Sequence, residues 1–150
     1  MRLTRQAWQR ASIAAMALAV AVAVTVAAGW HLPAPHPDAP PMVDAPQAVF
    51  GYATLANPLV RWAVIGRPVP ARSATLAGLA RDGRNLRVAP GAEVSGRVFT
   101  VTPRGLARLD RYERAGKRYY RTLTPLDDGT PAWVYRLIER DTPAPVSMVD

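Results

Sequence analysis

The 150-residue chain contains no cysteine and only two histidines, His31 and His36. The lack of cysteine excludes disulfide bonds, thiolate nucleophiles and cysteine-bound zinc. Both histidines precede residue 47, which argues against a histidine-based catalytic triad or a zinc site in the rest of the chain. What remains for catalysis is chemistry that needs neither residue type.

Acidic residues are also scarce, with 11 Asp and Glu against 19 Lys and Arg, and the net charge is +8. A basic surface of this kind favours anionic partners, namely lipid headgroups, nucleic acid or small molecules that carry carboxylates. The arginines are scattered singly and do not alternate with aromatic residues on one face, so no nucleic-acid partner is predicted. An ordinary solvated surface is the alternative explanation of the charge.

An uncharged apolar run covers residues 11–29, and three arginines precede it in the basic region 1–10. A helix of this length, at about 1.5 Å per residue, just spans a bilayer core. The positive charge before the run predicts a cytoplasmic N-terminus and a domain outside the cytoplasm. We therefore assign residues 11–30 to a single-pass signal anchor in the inner membrane. The alternative is a signal peptide cut near residues 26–28, which gives a secreted or periplasmic domain.

Residues 31–46 carry six prolines, a composition typical of extended polyproline conformation and of a semi-rigid spacer. Roughly one hundred residues then remain, which is a common domain size. The sequence predicts a folded domain over residues 47–140, followed by a loose Pro-containing tail at 141–150.

The domain mixes strands and helices without regular alternation. One helix begins with Asn57 and Pro58 and ends before Gly66, and a second follows a Thr102 cap over residues 103–113. Glycines inside two of the predicted strands indicate bulges or bends. Strands are predicted at 49–52, 71–80, 93–101, 119–126 and 131–139, the last two joined by an Asp-Asp-Gly turn. This order predicts an α+β fold, a small curled, mostly antiparallel mixed β-barrel with two short helices behind an N-terminal hydrophobic helix.

One face of the second helix carries both leucines and carboxyl groups. Leu106, Leu109, Asp110 and Glu113 stand at positions i, i+3, i+4 and i+7, so the leucines carry the acids toward the interior. Burial without a partner raises a carboxyl pKa toward neutrality, where the group both accepts and donates protons. The alternative is an ion pair between Glu113 and one of four nearby cations: Arg114, Lys117, Arg118 or Arg121.

Three motifs follow one another: VFGYATL at 49–55, GRVFTV at 96–101 and LDRYERAGKRYYR at 109–121. In this order and at these distances they resemble the gamma-glutamylcyclotransferase-like family, in its gamma-glutamylamine cyclotransferase and avirulence-induced-protein branch. That family shows a strand ending in Tyr-Gly-Ser/Thr-Leu, then Gly-x-Val-Tyr/Phe-x-Val, then Leu-Asp-x-Tyr/Phe-Glu followed by Tyr-x-Arg. The resemblance covers about residues 48–139.

The resemblance implies a curled sheet around a cavity and release of 5-oxoproline from a small γ-glutamyl amine or peptide. In that reaction the α-amine of the substrate attacks its own γ-carbonyl and expels the attached amine. Glu113 matches the family's catalytic glutamate, which acts as general acid and base. The turn amides that hold the substrate carboxylate fall on Tyr52, Ala53, Thr54 and Leu55. The resemblance implies no metal or organic cofactor.

Two positions depart from the family pattern. Ala53 replaces the glycine of the turn, and Arg114 replaces the glycine that commonly follows the catalytic glutamate. A second hypothesis is therefore a non-catalytic extracytoplasmic binding module that keeps the cavity but has lost turnover. A third is an interaction domain held against anionic lipid by its basic surface. The sequence predicts no particular oligomeric state.

Overall fold

A computed structural model describes residues 5–138 as three α-helices, one turn of 3-10 helix and five strands. The helices are α1 (Arg5–Ala28), α2 (Pro58–Ile65) and α3 (Pro103–Glu113), and the 3-10 turn is Thr54–Ala56. The strands are β1 (Gln47–Gly51), β2 (Arg72–Asp82), β3 (Asn85–Val101), β4 (Tyr119–Pro125) and β5 (Pro131–Leu137). The predicted loose tail at 141–150 lies outside the described residues.

The strands form one mixed sheet in the order β2-β3-β1-β5-β4, in which only the β1–β5 pair is parallel. The two edges of this sheet approach each other. The Asp127 amide donates to the Thr75 carbonyl at 3.1 Å, and Arg72 forms a 2.8 Å ion pair with Asp128. The sheet is therefore a curled half-barrel, which confirms the predicted fold class.

Both short helices begin at the predicted caps. The Asn57 side chain accepts a hydrogen bond from the Leu59 amide at 2.8 Å, and the Thr102 hydroxyl accepts one from the Gly105 amide at 3.2 Å. Each cap is followed by a proline, and α2 ends at Gly66 in the left-handed conformation. The buried residues of both helices join one core cluster with β1 and β3, which fixes the position of α3 against the sheet.

Strand β3 is longer than predicted, since it begins at Asn85 rather than at residue 93, and it forms a hairpin with β2. The first half of β3 contains Pro90 and Gly91, two residue types that are rare inside strands. Residues 89–92 of β3 have no partner in β2, whereas Val88 and Glu93 on either side of them are paired with it. The extra length comes from the pairing with β2 across the hairpin, a contact that local pattern does not encode. It carries the tip of the hairpin to the far end of β5.

Glycine occupies two positions of this hairpin for different structural reasons. The predicted irregularity at Gly78 is confirmed, since the register shifts there and its φ of 74° is left-handed. Gly96 instead stays in register opposite Ala74. A Cβ at Gly96 would lie 2.7 Å from the Gly51 carbonyl oxygen, so close packing of strands explains this glycine.

Helix α1 is exposed and contains a 19-residue span, Arg10–Ala28, with a mean hydropathy of 2.3. A membrane span and a signal sequence both fit a helix of this length and composition near the N-terminus. Two arginines of α3 bind the C-terminal end of α1. Arg108 donates to the carbonyls of Val26 and Ala27, and Arg111 donates to the carbonyl that follows the helix. These side chains bind carbonyls that a helix end leaves without intrahelical partners.

The proline-rich segment 31–46 packs against the domain. Leu32 is buried in the core, and the Pro41 carbonyl accepts a 2.6 Å hydrogen bond from Arg121. This differs from the semi-rigid spacer outside the core that the proline content predicts. The reason is that a few long-range contacts hold the segment, and composition does not report such contacts.

Candidate active site

The two acids of α3 lie in different surroundings. Asp110 is buried, and its Oδ1 accepts a 2.7 Å hydrogen bond from the Tyr135 hydroxyl and lies 3.6 Å from Nε of Arg121. Burial raises the pKa of Asp110 above its ordinary value, while the Tyr135 hydrogen bond and the Arg121 charge act in the opposite direction. Asp110 thus joins α3 to two strands and is occupied by its partners.

Glu113 ends α3 on the same face and is half-buried. Within residues 5–138 its carboxyl has no ion pair, and Arg121, one of its four candidate partners, pairs with Asp110 instead. Burial raises the pKa of Glu113 to about 7, and the positive charge of Arg118 offsets this only in part. At neutral pH both the acid and the base form are therefore populated, as acid–base catalysis requires.

A turn of unpaired amides follows β1. The chain leaves the strand at Gly51 and enters the 3-10 helix through residues 52–55. None of the four N–H groups of residues 52–55 has a hydrogen-bond partner in the part of the chain that the structure describes. Successive free amides in a turn bind anions such as carboxylates, because each N–H directs a partial positive charge at the ligand.

A buried arginine of α2 supports this turn from behind. Nη1 of Arg61 donates to the carbonyls of Leu55 and Ala56 at 3.0 and 2.8 Å. Its guanidinium lies over the ring of Phe99, 5.3 Å from the ring centroid. The arginine therefore fixes the 3-10 helix through its carbonyls and adds positive charge behind the amides.

Tyrosine hydroxyls join the turn to α3 and to β5. The hydroxyls of Tyr112 and Thr54 lie 3.4 Å apart, which links the last turn of α3 to the amide turn. The Tyr52 hydroxyl donates to the Tyr135 carbonyl at 2.8 Å. Because Tyr135 also binds Asp110, the turn, the helix and β5 are held in one connected arrangement.

Between the turn and the end of α3 lies a small cleft of about 40 Å³ that is open to solvent. Residues 50–55 line one side of it, and Glu113 lines it from α3. All five residues that the sequence predicts as site residues therefore line one cleft. Within the described range, no group of three or more His, Asp or Glu residues lies close enough together to hold a metal ion.

Three further residues line the cleft that sequence reasoning did not single out as site residues: Arg84, Tyr119 and Tyr135. Tyr119 belongs to the Tyr-x-Arg motif, which was the one available signal. Arg84 stands at the tip of the β2–β3 hairpin and Tyr135 on β5, so only the folded sheet brings them to the cleft.

Comparison with known proteins agrees with this geometry. The family described as gamma-glutamyl cyclotransferase, AIG2-like, matches residues 49–148. The chain belongs to this family. The match includes the amide turn, α3 and the strands around the cleft, and it supports a cyclotransferase-like function in general. No curated protein matches the chain.

Solved structures share the fold of this family member. A solution structure from Arabidopsis thaliana is 21% identical with a TM-score of 0.56, over 71% of this chain and 70% of that one. A second Arabidopsis thaliana solution structure is 26% identical with a TM-score of 0.55, over 69% and 75%. The crystal structure of an uncharacterized Homo sapiens protein is 15% identical with a TM-score of 0.52, over 63% and 68%.

The two departures from the family pattern differ in kind. Ala53 has a φ of −124°, which is not left-handed, and it lines the cleft. Replacing glycine by alanine at this position therefore reduces the space in the cleft but does not force a residue with a side chain into the left-handed conformation. Arg114 has a φ of 52° and a ψ of 51°, the left-handed conformation that glycine adopts without steric cost. The backbone at Arg114 thus has the conformation that the family's glycine favours, although an arginine occupies the position.

Proposed function

We propose that the protein is a γ-glutamyl cyclotransferase that releases 5-oxoproline from a γ-glutamyl amine or peptide, with Glu113 as the general acid and base. One observation carries the proposal. A carboxyl group with no ion pair in the described chain, whose pKa burial raises to about 7, shares a cleft with the free amides of residues 52–55. Family membership adds support for this class of reaction.

In the proposed complex the amides of residues 52–55 bind the α-carboxylate of the glutamyl group. The positive charge of Arg61 behind them strengthens this contact. The glutamyl chain then extends toward Glu113, which places the α-amine and the γ-carbonyl together. Fixing these two groups converts a flexible chain into one that is ready to cyclise.

Glu113 moves protons between two nitrogens of the substrate. As a carboxylate it accepts a proton from the α-ammonium, which frees the amine to attack the γ-carbonyl carbon. A C–N bond forms between the α-nitrogen and the γ-carbonyl carbon, and the bond between that carbonyl carbon and the leaving nitrogen breaks. Overall the α-nitrogen loses two protons and the leaving amine gains two, so the reaction needs no oxidant, reductant or further reactant.

The test is 5-oxoproline release by the full chain in detergent, with a panel of γ-glutamyl amines and dipeptides. Glu113→Gln keeps the shape of the side chain but removes its acid–base function, so we expect kcat/KM to fall by about 10²–10⁴-fold. Glu93→Gln, at an exposed position of β3 away from the cleft, is the matched control and should retain full activity. Equal activity of wild type and Glu113→Gln would contradict the assigned role.

A binding module without turnover is the second candidate, and the presence of Ala53 in the cleft favours it. If the methyl group blocks a productive substrate position, Ala53→Gly should gain activity that the wild type lacks. If the wild type is active, the same substitution should leave kcat nearly unchanged. Measuring 5-oxoproline release for both proteins separates these two functions.

For location, we propose that α1 anchors the domain to the membrane with its N-terminus in the cytoplasm and the domain outside. The arginines before the apolar span and the contacts of Arg108 with the helix end support this arrangement. A reporter fused after residue 150 should be active only outside the cytoplasm. A cytoplasmic signal would overturn the topology, and a shortened mature protein would favour the signal-peptide alternative.

A further inference from the structure

A second cavity lies between the segment 31–46 and helix α3. It has a volume of about 230 Å³, against about 40 Å³ for the cleft at Glu113, and the two share no lining residue. Its walls are mostly apolar, with Met42 and Val43 on the segment and Leu106 and Ala107 on α3. An apolar cavity of about 150 Å³ already holds benzene, so this one has room for a small organic molecule.

The segment 31–46 forms a fixed wall of this cavity. Arg111 of α3 donates to the carbonyls of Leu32 and Pro33 at 2.9 and 2.6 Å. Nη2 of Arg121 on β4 donates to the Pro41 carbonyl at 2.6 Å. Because these contacts bind the segment on both sides of residues 34–40, the cavity belongs to the folded domain and is not a gap beside a loose linker.

A buried arginine of the cavity wall lacks acceptors for part of its guanidinium group. The side chain of Arg121 is only 2% exposed, and its Nε lies 3.6 Å from Oδ1 of Asp110, just beyond hydrogen-bond distance. Within residues 5–138, neither Nε nor Nη1 of Arg121 has a hydrogen-bond partner. Buried donors without acceptors are rare in proteins because they destabilise the fold. An acceptor supplied by a molecule in the cavity would remove this cost.

The charges that line the cavity favour an anionic group. Arg111 and Arg121 line it together with one acid, Asp110, whose Oδ1 already accepts a hydrogen bond from the Tyr135 hydroxyl. Arginine forms charge-assisted hydrogen bonds with carboxylates, and these are stronger than bonds between neutral groups. A ligand with an apolar body and one carboxylate therefore matches both the apolar walls and the buried donor. An uncharged hydrocarbon would leave Nη1 of Arg121 without an acceptor.

We propose that this cavity is a binding site for a small monocarboxylic acid with an apolar body. Its carboxylate accepts a hydrogen bond from Nη1 of Arg121, and its body lies between the segment 31–46 and Leu106 of α3. The site is separate from the cleft at Glu113, and binding involves no covalent step. It therefore does not depend on the proposed cyclotransferase function.

The experiment is an NMR titration of the full chain in detergent with phenylacetate and with phenylacetamide, which has nearly the same shape but no charge. The indole N–H of Trp133 is the local probe, because the Arg121 guanidinium lies 4.8 Å from the centroid of that ring. Trp133→Phe assigns its signal. We expect phenylacetate to shift this signal with a saturable curve and to bind at least tenfold more tightly than phenylacetamide.

A variant that fills the cavity tests where the acid binds. Ala107→Phe places a ring in the cavity without removing Arg121 or Asp110, so we expect at least a tenfold loss of phenylacetate affinity. Ala77→Phe, at an exposed position of β2 that lines neither the cavity nor the cleft at Glu113, is the matched control and should bind as the wild type does. Arg121→Gln should abolish the preference for phenylacetate. Because it also removes the partner of Asp110, Ala107→Phe is the deciding variant.

Three results would overturn the site. Equal affinities of the wild type for the two probes would show that the carboxylate is not recognised. Equal phenylacetate affinity in wild type and Ala107→Phe would place the acid outside the cavity. If neither probe gives a saturable shift of the Trp133 signal, the cavity does not take an organic acid, and water is then the partner of Arg121.

Discussion

Asp110 and Glu113 belong to the same face of α3, one helical turn apart, yet their carboxyl groups have opposite surroundings. Asp110 is bound by the Tyr135 hydroxyl and lies beside the charge of Arg121. Glu113 faces an open cleft without an ion pair in the described chain, and burial raises its pKa to about 7. The same helix therefore carries one acid that holds the fold together and one that remains available to a ligand.

The difference shows how position along a buried face decides the role of an acid. Asp110 lies deep enough to contact Arg121 on β4 and Tyr135 on β5. Its interactions with these two side chains offset the free-energy cost of removing its carboxylate from water. Glu113 stands at the last residue of the helix, where the sheet curls away and leaves a cleft. An unpaired acid of this kind destabilises the fold when ionised, which is typical of functional sites.

Removing Asp110 should have the largest effect on stability. Asp110→Ala leaves the Tyr135 hydroxyl and the Arg121 charge buried without their partner, so we expect the free energy of unfolding to fall by about 3 kcal/mol. Denaturant unfolding of the full chain in detergent measures it, with Glu93→Ala as an exposed control that should change by less than about 0.5 kcal/mol. A loss no larger than the control would show that the buried pair is not structural.

Glu113→Gln should raise the free energy of unfolding at high pH, which is the opposite of the effect expected for Asp110→Ala. The folded-state pKa of Glu113 is about 7 and its ordinary value is 4.5. Its contribution to stability is therefore fully present below pH 4.5 and is lost as the pH rises through about 7. After allowance for partial exposure, we expect the variant to be roughly 2 kcal/mol more stable than wild type at pH 8, and equal to it near pH 4.5.

The measurement is unfolding of both proteins across this pH range, so that other titrating groups cancel in the difference. A stability difference that does not change between pH 4.5 and pH 8 would contradict the raised pKa of Glu113. The variant thus tests whether the pKa of Glu113 is raised, and the test does not require a known substrate.

Arg114→Gly should have the smallest effect. Arg114 directly follows Glu113 and has a left-handed φ of 52°, which costs a non-glycine residue about 1 kcal/mol. Glycine removes this cost but adds about 0.4–1 kcal/mol of conformational freedom to the unfolded chain, so we expect a net gain of at most about 0.5 kcal/mol in the free energy of unfolding. A loss of stability would mean that the arginine side chain makes a contact that outweighs its backbone cost.

The parts of the fold that local chemistry determines could be predicted from the sequence. The Thr102 cap and following proline defined α3, and its leucine spacing put Glu113 on the buried face. The first half of β3 and the packing of the segment 31–46 could not be predicted, because both depend on contacts between residues distant in sequence. Arg84 reaches the cleft only through the hairpin pairing, so its place in the site had no local signal.

The proposed role of Glu113 requires a carboxyl group that has no ion pair in the described chain and titrates near neutrality. Carbon-13 NMR titration of glutamate side chains in the full chain, with Glu113→Gln to assign the signal, measures this directly. We expect the Glu113 carboxyl to titrate with a pKa of about 7, well above the ordinary 4.5. A pKa near 4.5 would contradict the claim, because such a group is fully ionised at neutral pH and is a poor proton donor to the leaving amine.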